Sequence, residues 1–205
     1  MTIKNILILS AGRRVELAQA FRSEITARSL ESKLFATEMK PELSAACHVV
    51  DQSFKAPRVT DPSYIDFLLS TCLASKIGLV VPTIDTELLL LAQNRERFAE
   101  NGIHIVISDV ELVRVCRDKR LTANLFSQIG IDSPVIYSRE NIQFPCFAKP
   151  YDGSCSIGAF AIREPQMLSD AVLSDGKIMF MELIEGGFDE FTVDAYYDRH
   201  GILCC

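Results

Sequence analysis

Over the first 110 residues, short apolar runs of four to six residues alternate with stretches of helical period. This alternation constrains the fold more than any other feature. Runs that short and that continuous suit strands buried on both faces, and intervening helices suit the crossovers of a parallel sheet. Asn5-Ile-Leu-Ile-Leu-Ser10 reads as the first strand. Arg14 to Ala27 follows as a helix whose apolar stripe is Val15, Leu17, Ala18, Phe21 and Ile25. Lys33 to Thr37 reads as a second strand and His48-Val-Val50 as a short third. Pro62 to Ser75 reads as a helix with Asp61 as its N-cap. Gly78 to Pro82 is a fourth strand, Thr83 to Asn101 a helix closed by Asn101-Gly102, and Ile103 to Ser108 a fifth strand. The expectation is an open parallel sheet of Rossmann-like type, covered by helices on both faces.

Beyond residue 110 the pattern changes. Asp109 to Gly130 reads as a short helix and then a longer one. Extended segments follow at Pro145 to Pro150, Gly158 to Arg163, Lys177 to Leu183 and Phe188 to Asp198. One helix, Pro165 to Ser174, interrupts them. Hairpin-linked strands with a helix across them make an α+β unit. The domains expected are therefore 1–110 and 111–205. Asp198 to Gly201 reads as a hairpin turn and Ile202 to Cys205 as the start of a returning strand, so the second domain is expected to be incomplete at its C-terminus.

Charge and cysteines narrow the function classes. The 205 residues carry 21 Lys and Arg against 27 Asp and Glu, a formal net charge of −6, with no clustered basic face for nucleic-acid phosphates. The longest apolar stretch, Leu88 to Ala92, is far below the ~20 residues of a membrane span. The apolar run Ile6 to Leu9 is too short for a signal peptide, and the basic pair Arg13-Arg14 follows it. Seven cysteines with no C-x-x-C pair suggest reduced thiols in a cytoplasmic protein, and no metal site is expected within the chain.

Four segments carry candidate chemistry. Ser10-Ala-Gly-Arg-Arg14 lies between a strand and a helix, where Gly12 and backbone N–H groups can approach an anion. It is not G-x-G-x-x-G, so a tight turn with solvated arginines is expected. Glu38, just after the second strand, is placed like the ribose-binding acid of a Rossmann unit but reads more simply as a loop carboxylate. In Pro82-Thr-Ile-Asp-Thr-Glu87, Thr83 is expected to cap the helix, and Asp85 and Glu87 to complement its dipole.

Two lysines stand out in the second half. Lys119 lies early in a helix. Lys149 ends the apolar strand Phe144-Pro-Cys-Phe-Ala-Lys-Pro150 and leads into Tyr151-Asp-Gly-Ser-Cys-Ser-Ile-Gly158, a small, hydroxyl-rich loop able to offer N–H groups to phosphate. Last comes Met181-Glu-Leu-Ile-Glu-Gly-Gly-Phe-Asp-Glu-Phe-Thr-Val-Asp194. Its second half alternates, with Glu190, Thr192 and Asp194 on one strand face and Phe191, Val193 and Ala195 on the other.

In this order, Lys119 after Arg-Asp, the Lys149 strand, the Gly153–Gly158 loop and the Met-Glu-Leu-Ile-Glu-Gly segment resemble the ATP-grasp superfamily. The opening Ser-Ala-Gly-Arg-Arg is similar to that of proteins like the carbamoyl-phosphate synthase large subunit. The resemblance implies a pre-ATP-grasp α/β domain followed by the first part of an ATP-grasp domain. It implies that Lys119 and Lys149 contact ATP phosphates, and that Gly153, Ser154, Ser156 and Gly158 belong to a loop closing over them. Glu182, Leu183 and Ile184 would meet the adenine, and Glu190 the ribose. The implied reaction is a carboxylate–amine ligation through an acyl phosphate, using ATP and a small-molecule carboxylate. Mg²⁺ would be needed, its ligands lying beyond residue 205, so this chain alone is expected to bind ATP weakly or not at all and not to turn over. No nucleic-acid or membrane partner is expected, and a homo-oligomer stays open. Two rivals remain: a non-catalytic nucleotide-binding or regulatory module, and a Rossmann-type domain that holds a nucleotide or sugar phosphate through Gly12 to Arg14. No Ser-His-Asp or Cys-His set can be drawn from His48, His104 and His200, and His104 reads as a core or edge-strand residue.

Overall fold

The computed structural model describes residues 5–187, 189–198 and 200–204. Phe188, Arg199 and Cys205, which take part in the extended segment, the turn and the returning strand expected near the C-terminus, lie outside the described residues. The chain forms two compact units, Met1–Ile131 and Asp132–Cys205.

The first unit is built on a five-stranded parallel sheet. Its strands are β1 (Asn5–Ile8), β2 (Leu34–Glu38), β3 (Gln52–Lys55), β4 (Ile77–Val81) and β5 (His104–Ile105), in the spatial order β3-β2-β1-β4-β5. β1 is central, with Leu7 opposite Phe35 on β2 and opposite Val80 on β4. Side chains alternate across a strand, and the core divides accordingly. Ile6 and Ile8, with Leu34 and Ala36, pack against α1 (Val15–Ala27) through Ala18, Leu17, Phe21 and Ile25. Leu7, Leu9 and Phe35 face the other way. They meet α2 (Tyr64–Ala74), α3 (Asp85–Gln93) and α4 (Arg95–Ala99) through Leu68, Cys72, Leu91 and Phe98. Leu7, Ile8 and Leu9 are wholly buried, each contributing roughly 1.5–3 kcal/mol of apolar transfer. The open parallel sheet with helices on both faces is as the sequence indicates.

Several local expectations fail. His48-Val-Val50 is not a strand: a 3₁₀ turn spans Ala46–His48, and Val49 and Val50 tuck against the α1 side of the core. The third strand comes later, at Gln52–Lys55, and pairs only with β2. As an edge strand it needs few apolar residues, so its sequence carries little signal. The single helix expected over Thr83–Asn101 is two, broken at Asn94, whose side-chain amide donates to the Leu90 carbonyl at 2.8 Å. β5 is only two residues long, and His104 lies exposed on it at the sheet edge. α2 starts at Tyr64 with Ser63 in the cap position and no side-chain cap bond, so Asp61 is not its N-cap; Asp61 accepts the Ser63 N–H at 2.9 Å in the turn that precedes the helix.

The helices expected in Asp109 to Gly130 are present as α5 (Val110–Arg117) and α6 (Lys119–Gln128), and both fall in the first unit. Arg117 reaches Asp85 on α3 at 2.6 Å. The compact units therefore divide further along the chain than the change of pattern at residue 110. No helix among the described residues is long and apolar enough to cross a membrane.

The second unit contains a four-stranded antiparallel sheet, order β6-β9-β7-β8, from β6 (Ile136–Tyr137), β7 (Cys146–Pro150), β8 (Phe160–Ile162) and β9 (Ile178–Glu182). Cys146, Ala148, Ile162 and Phe180 form its core with Leu168, Val172 and Leu173. The helix expected over Pro165–Ser174 is a 3₁₀ turn at Pro165–Met167 and then α7 (Asp170–Ser174). Extended backbone at Leu168 and Ser169 separates them, and the Ser169 hydroxyl caps α7. No strand forms over the described part of Phe188–Asp198. Phe191 and Val193 are exposed there, and a single bridge pairs Tyr197 with Leu203.

Candidate functional site

In the second unit, β7 delivers Lys149. Cys146 and Ala148 turn into the core, so Phe147 and Lys149 occupy the opposite face, with the ammonium 5.8 Å from the Phe147 ring centroid. On β9 the residues opposite are Met181 and Met179. The chain then turns sharply after Pro150. A Cβ on Gly153 would lie 3.1 Å from the Pro150 Cβ, a tight contact that would push the proline by a few tenths of an ångström. Gly158 closes the loop at φ +72, and a Cβ there would stand 3.4 Å from the same proline ring. Between them Cys155 and Ser156 both have φ +55, left-handed backbone that L side chains rarely adopt. Ser154 is half-buried, while Cys155, Ser156 and Ile157 are exposed.

β9 runs antiparallel to β7 and ends at Glu182, opposite Cys146. Both the N–H and the carboxylate of Glu182 go to Val135: its N–H donates to the Val135 carbonyl at 2.8 Å, and its Oε2 accepts the Val135 N–H at 3.2 Å. Leu183 is half-buried, and Ile184 and Glu190 are exposed in non-strand backbone. The Lys149 strand carries the Gly153–Gly158 loop, and its neighbour β9 leads into Leu183 and Ile184, so all three segments are attached to one sheet. Lys119 begins α6 in the first unit. The preceding Asp118 caps that helix, and the Arg120 guanidinium holds its carboxyl below the usual range. Among the described residues no group of three or more His, Cys, Asp or Glu side chains converges on a metal position.

At the carboxyl edge of the first unit's sheet, the turn after β1 differs from the solvated one expected. Arg13 is exposed as expected, but Arg14 is half-buried: its guanidinium donates to the Ser10 carbonyl at 3.2 Å and to the Thr83 carbonyl at 2.7 Å, spanning the ends of β1 and β4. Thr83 does not cap α3. Its hydroxyl donates to the carbonyls of Leu9 and Ser10 instead. Glu87 does not merely complement a helix dipole, because it is fully buried. Oε1 accepts the N–H groups of Thr83 and Ile84. Oε2 accepts the hydroxyls of Ser10, at 2.9 Å, and Tyr64, at 3.0 Å. Tyr64 is itself buried, and its hydroxyl is pushed far above its ordinary pKa, first by burial and then by the Glu87 charge. Ser10 holds φ +47 within this network. Sequence reasoning marked Thr83 to Glu87 and, separately, the Ser10–Arg14 turn, but missed Tyr64 and the bond that joins Ser10 to Glu87, because these depend on partners far along the chain.

Beside this network opens a cleft of about 250 Å³, lined by Gly12, Glu38, Met39, Pro57, Val59 and Tyr64 among others. Glu38 stands at the end of β2. Its Oε2 accepts the Gly12 N–H at 3.0 Å and its Oε1 accepts the Met39 N–H at 2.8 Å. Gly12 sits at φ +51, left-handed backbone that favours glycine, while a Cβ there would only touch Arg14 and Glu38 at ordinary contact distance.

Comparisons with known proteins bear on both units. Residues 6–106 match the family model described as the PylC-like N-terminal domain. No curated protein sequence matches the chain. Among solved structures, Rhizobium etli pyruvate carboxylase superposes with a TM-score of 0.64 at 12% identity, covering 89% of this chain and 18% of that one. The biotin carboxylase domain of Hydrogenobacter thermophilus 2-oxoglutarate carboxylase, in complex with MgADP, ADP and bicarbonate, gives 0.63 at 13% identity, covering 90% of this chain and 45% of that one. Campylobacter jejuni biotin carboxylase in its β-γ-ATP complex gives 0.62 at 16% identity, with coverages of 90% and 46%. The chain thus spans less than half the length of each of these proteins, and at such identities the likeness is one of fold. The first unit has the α/β fold of the N-terminal, pre-ATP-grasp domain of biotin carboxylase-like proteins, and its residues 6–106 are similar to the PylC-like N-terminal domain.

Proposed function

We propose that the chain is the nucleotide-binding part of an ATP-grasp enzyme that activates a carboxylate with ATP and joins it to an amine. The observation that carries this reading is the second unit's sheet, in which β7 presents Lys149 and the Gly153–Gly158 loop at one end while Glu182, at the end of β9, pairs with Cys146 at the other, so that the two groups lie a strand's length apart along one sheet. The solved structures of like fold that hold ADP or ATP support it. The carboxylate would take the ATP γ-phosphoryl group, with the β–γ bridge broken and ADP leaving, and the amine would then displace inorganic phosphate from the acyl phosphate. A carbamoyl-phosphate-synthase-like reaction is a finer form of the same proposal, and the Ser10–Arg14 opening is its support.

The chain's own residues have limited tasks in such a reaction. Phosphoryl transfer demands charge compensation and positioning more than covalent help. The Lys149 ammonium would offset phosphate charge. The left-handed backbone at Cys155 and Ser156 would turn the loop amides toward phosphate oxygens. The N–H and carboxylate of Glu182 are taken by Val135, so an adenine would meet Glu182 through its carbonyl and Ile184 through its N–H. Ser154 and Ser156 would serve the loop, Leu183 would pack on the base, and Glu190 would serve the ribose. Lys119 would add charge from α6. The described residues offer no group of three or more ligands for Mg²⁺, so no step is assigned to the metal here.

A titration of the full chain with MgATP, followed by amide NMR shifts, tests this reading. Shifts at residues 149–158 and 182–184 are expected, with binding at least about tenfold weaker in Lys149→Ala, the loss of one charge-assisted contact. Equal binding by Lys149→Ala, or shifts confined elsewhere, would refute it.

A further inference from the structure

We propose that the cleft at the carboxyl edge of the first unit's sheet is a ribonucleoside site, with Glu38 holding the 2′,3′-diol. It is separate from the ATP site proposed for the second unit. Three observations converge on it. First, in doubly wound sheets ligands bind outside the carboxyl ends of the strands, and an acid at the end of the second strand takes the ribose hydroxyls. Glu38 ends β2 and is fixed there by the N–H groups of Gly12 and Met39, one on each oxygen. A carboxylate oxygen that accepts one such bond retains a lone pair. Two hydroxyl donors of a vicinal diol match two oxygens so prepared.

Second, the remaining walls suit the face of a base. Met39 follows Glu38 directly, while Pro57 and Val59 follow β3, and all three line the cleft. At about 250 Å³ the space suits a single nucleoside. Third, the structure excludes the second half of a dinucleotide. The strand order reverses between β1 and β4, where a dinucleotide would cross. Arg14 and Thr83 already span the ends of those strands with hydrogen bonds to backbone carbonyls. Most of the cleft's lining comes from the β1–β2–β3 side, with Arg14 and Ile84 at its β4 margin. The buried Glu87–Tyr64–Ser10 network fixes the cleft's back wall, since Tyr64 and Ser10 both line it.

The probe is adenosine, titrated into the ¹⁵N-labelled full chain. The amides of Gly12 and Met39, which bond Glu38, are the reporters. Adenosine is expected to shift both, and 2′,3′-dideoxyadenosine to bind about tenfold or more weakly, as does adenosine to Glu38→Gln. The analogue comparison uses the unaltered chain, so it decides the matter even if Glu38→Gln does not fold. Equal affinity for adenosine and its dideoxy analogue would overturn the proposal. So would millimolar adenosine that leaves Gly12 and Met39 unmoved, whatever happens at residues 149–184.

Discussion

The buried Glu87 carboxylate makes the most exacting prediction. Its two oxygens accept four hydrogen bonds, two from backbone N–H groups and two from the hydroxyls of Ser10 and Tyr64. Glu87→Gln changes the shape little but leaves one oxygen. If that oxygen stays with the Thr83 and Ile84 N–H groups, the new NH₂ faces two hydroxyls whose protons pointed at an acceptor. Each displaced hydroxyl costs about 1 kcal/mol, and two bonds lose their charge assistance, so the variant should lose about 3 kcal/mol. That is a large share of the ~5–15 kcal/mol that holds a domain together. Urea denaturation, followed through the amide signals of β1 and β4, measures it. Tyr64→Phe removes one donor to Glu87, so in the Glu87→Gln background it should cost about 1 kcal/mol less than in the parent. A Glu87→Gln loss below about 0.5 kcal/mol, or a double mutant that is strictly additive, would refute the picture of a shared, fully satisfied acceptor.

Two further outcomes follow from buried groups. Burial pushes the Cys72 thiol from 9.0 up to about 12 and also raises Tyr64. The folded chain holds these protons more tightly than the unfolded one, so the Cys72 contribution is complete below about pH 9 and the Tyr64 contribution below about pH 10, and each is lost as pH rises further, at about 1.4 kcal/mol per pH unit. The urea midpoint should fall between pH 8 and 10.5, and fall less steeply in Cys72→Ala; a flat profile would count against both. In the second unit, the Arg139 guanidinium donates to the carbonyls of Leu173, Asp175 and Ile178, and lies 5.5 Å from the Phe180 ring centroid. Arg139→Ala should destabilise that unit by about 2–3 kcal/mol in thermal unfolding, and an unchanged midpoint would contradict it.

The sequence disclosed what was local and buried on both faces. β1, β2 and β4 were legible because their residues face packed helices on either side, which forces continuous apolar runs. β3 was not, because an edge strand is held by backbone pairing with β2 and tolerates Gln52, Ser53 and Lys55. Val49 and Val50 misled through their β-branched side chains, although the chain there makes a turn and only packs them under the sheet. The alternation in Phe188–Asp198 misled similarly, since period two describes a strand only where a partner ladder exists. Lys149 and its glycine-bounded loop were visible because strand, lysine and loop are consecutive. The burial of Glu87 was invisible, because Ser10 stands 77 residues away and Tyr64 stands 23 away. A carboxylate at a helix start looks the same whether it faces water or a pair of hydroxyls.

The central place of β1 also bears on how the chain is made. β1 is synthesised first, yet its two sides are completed by strands at very different distances, β2 from Leu34 and β4 from Ile77. At ordinary translation rates the roughly forty residues between the ends of β2 and β4 take roughly 2–8 s to add. During that interval the most apolar strand of the nascent chain has one ladder edge without its partner, the kind of edge that other chains can join. The step that protects the growing polypeptide from aggregation is therefore the arrival of Ile77–Val81 at the ribosome exit, well before the second unit exists.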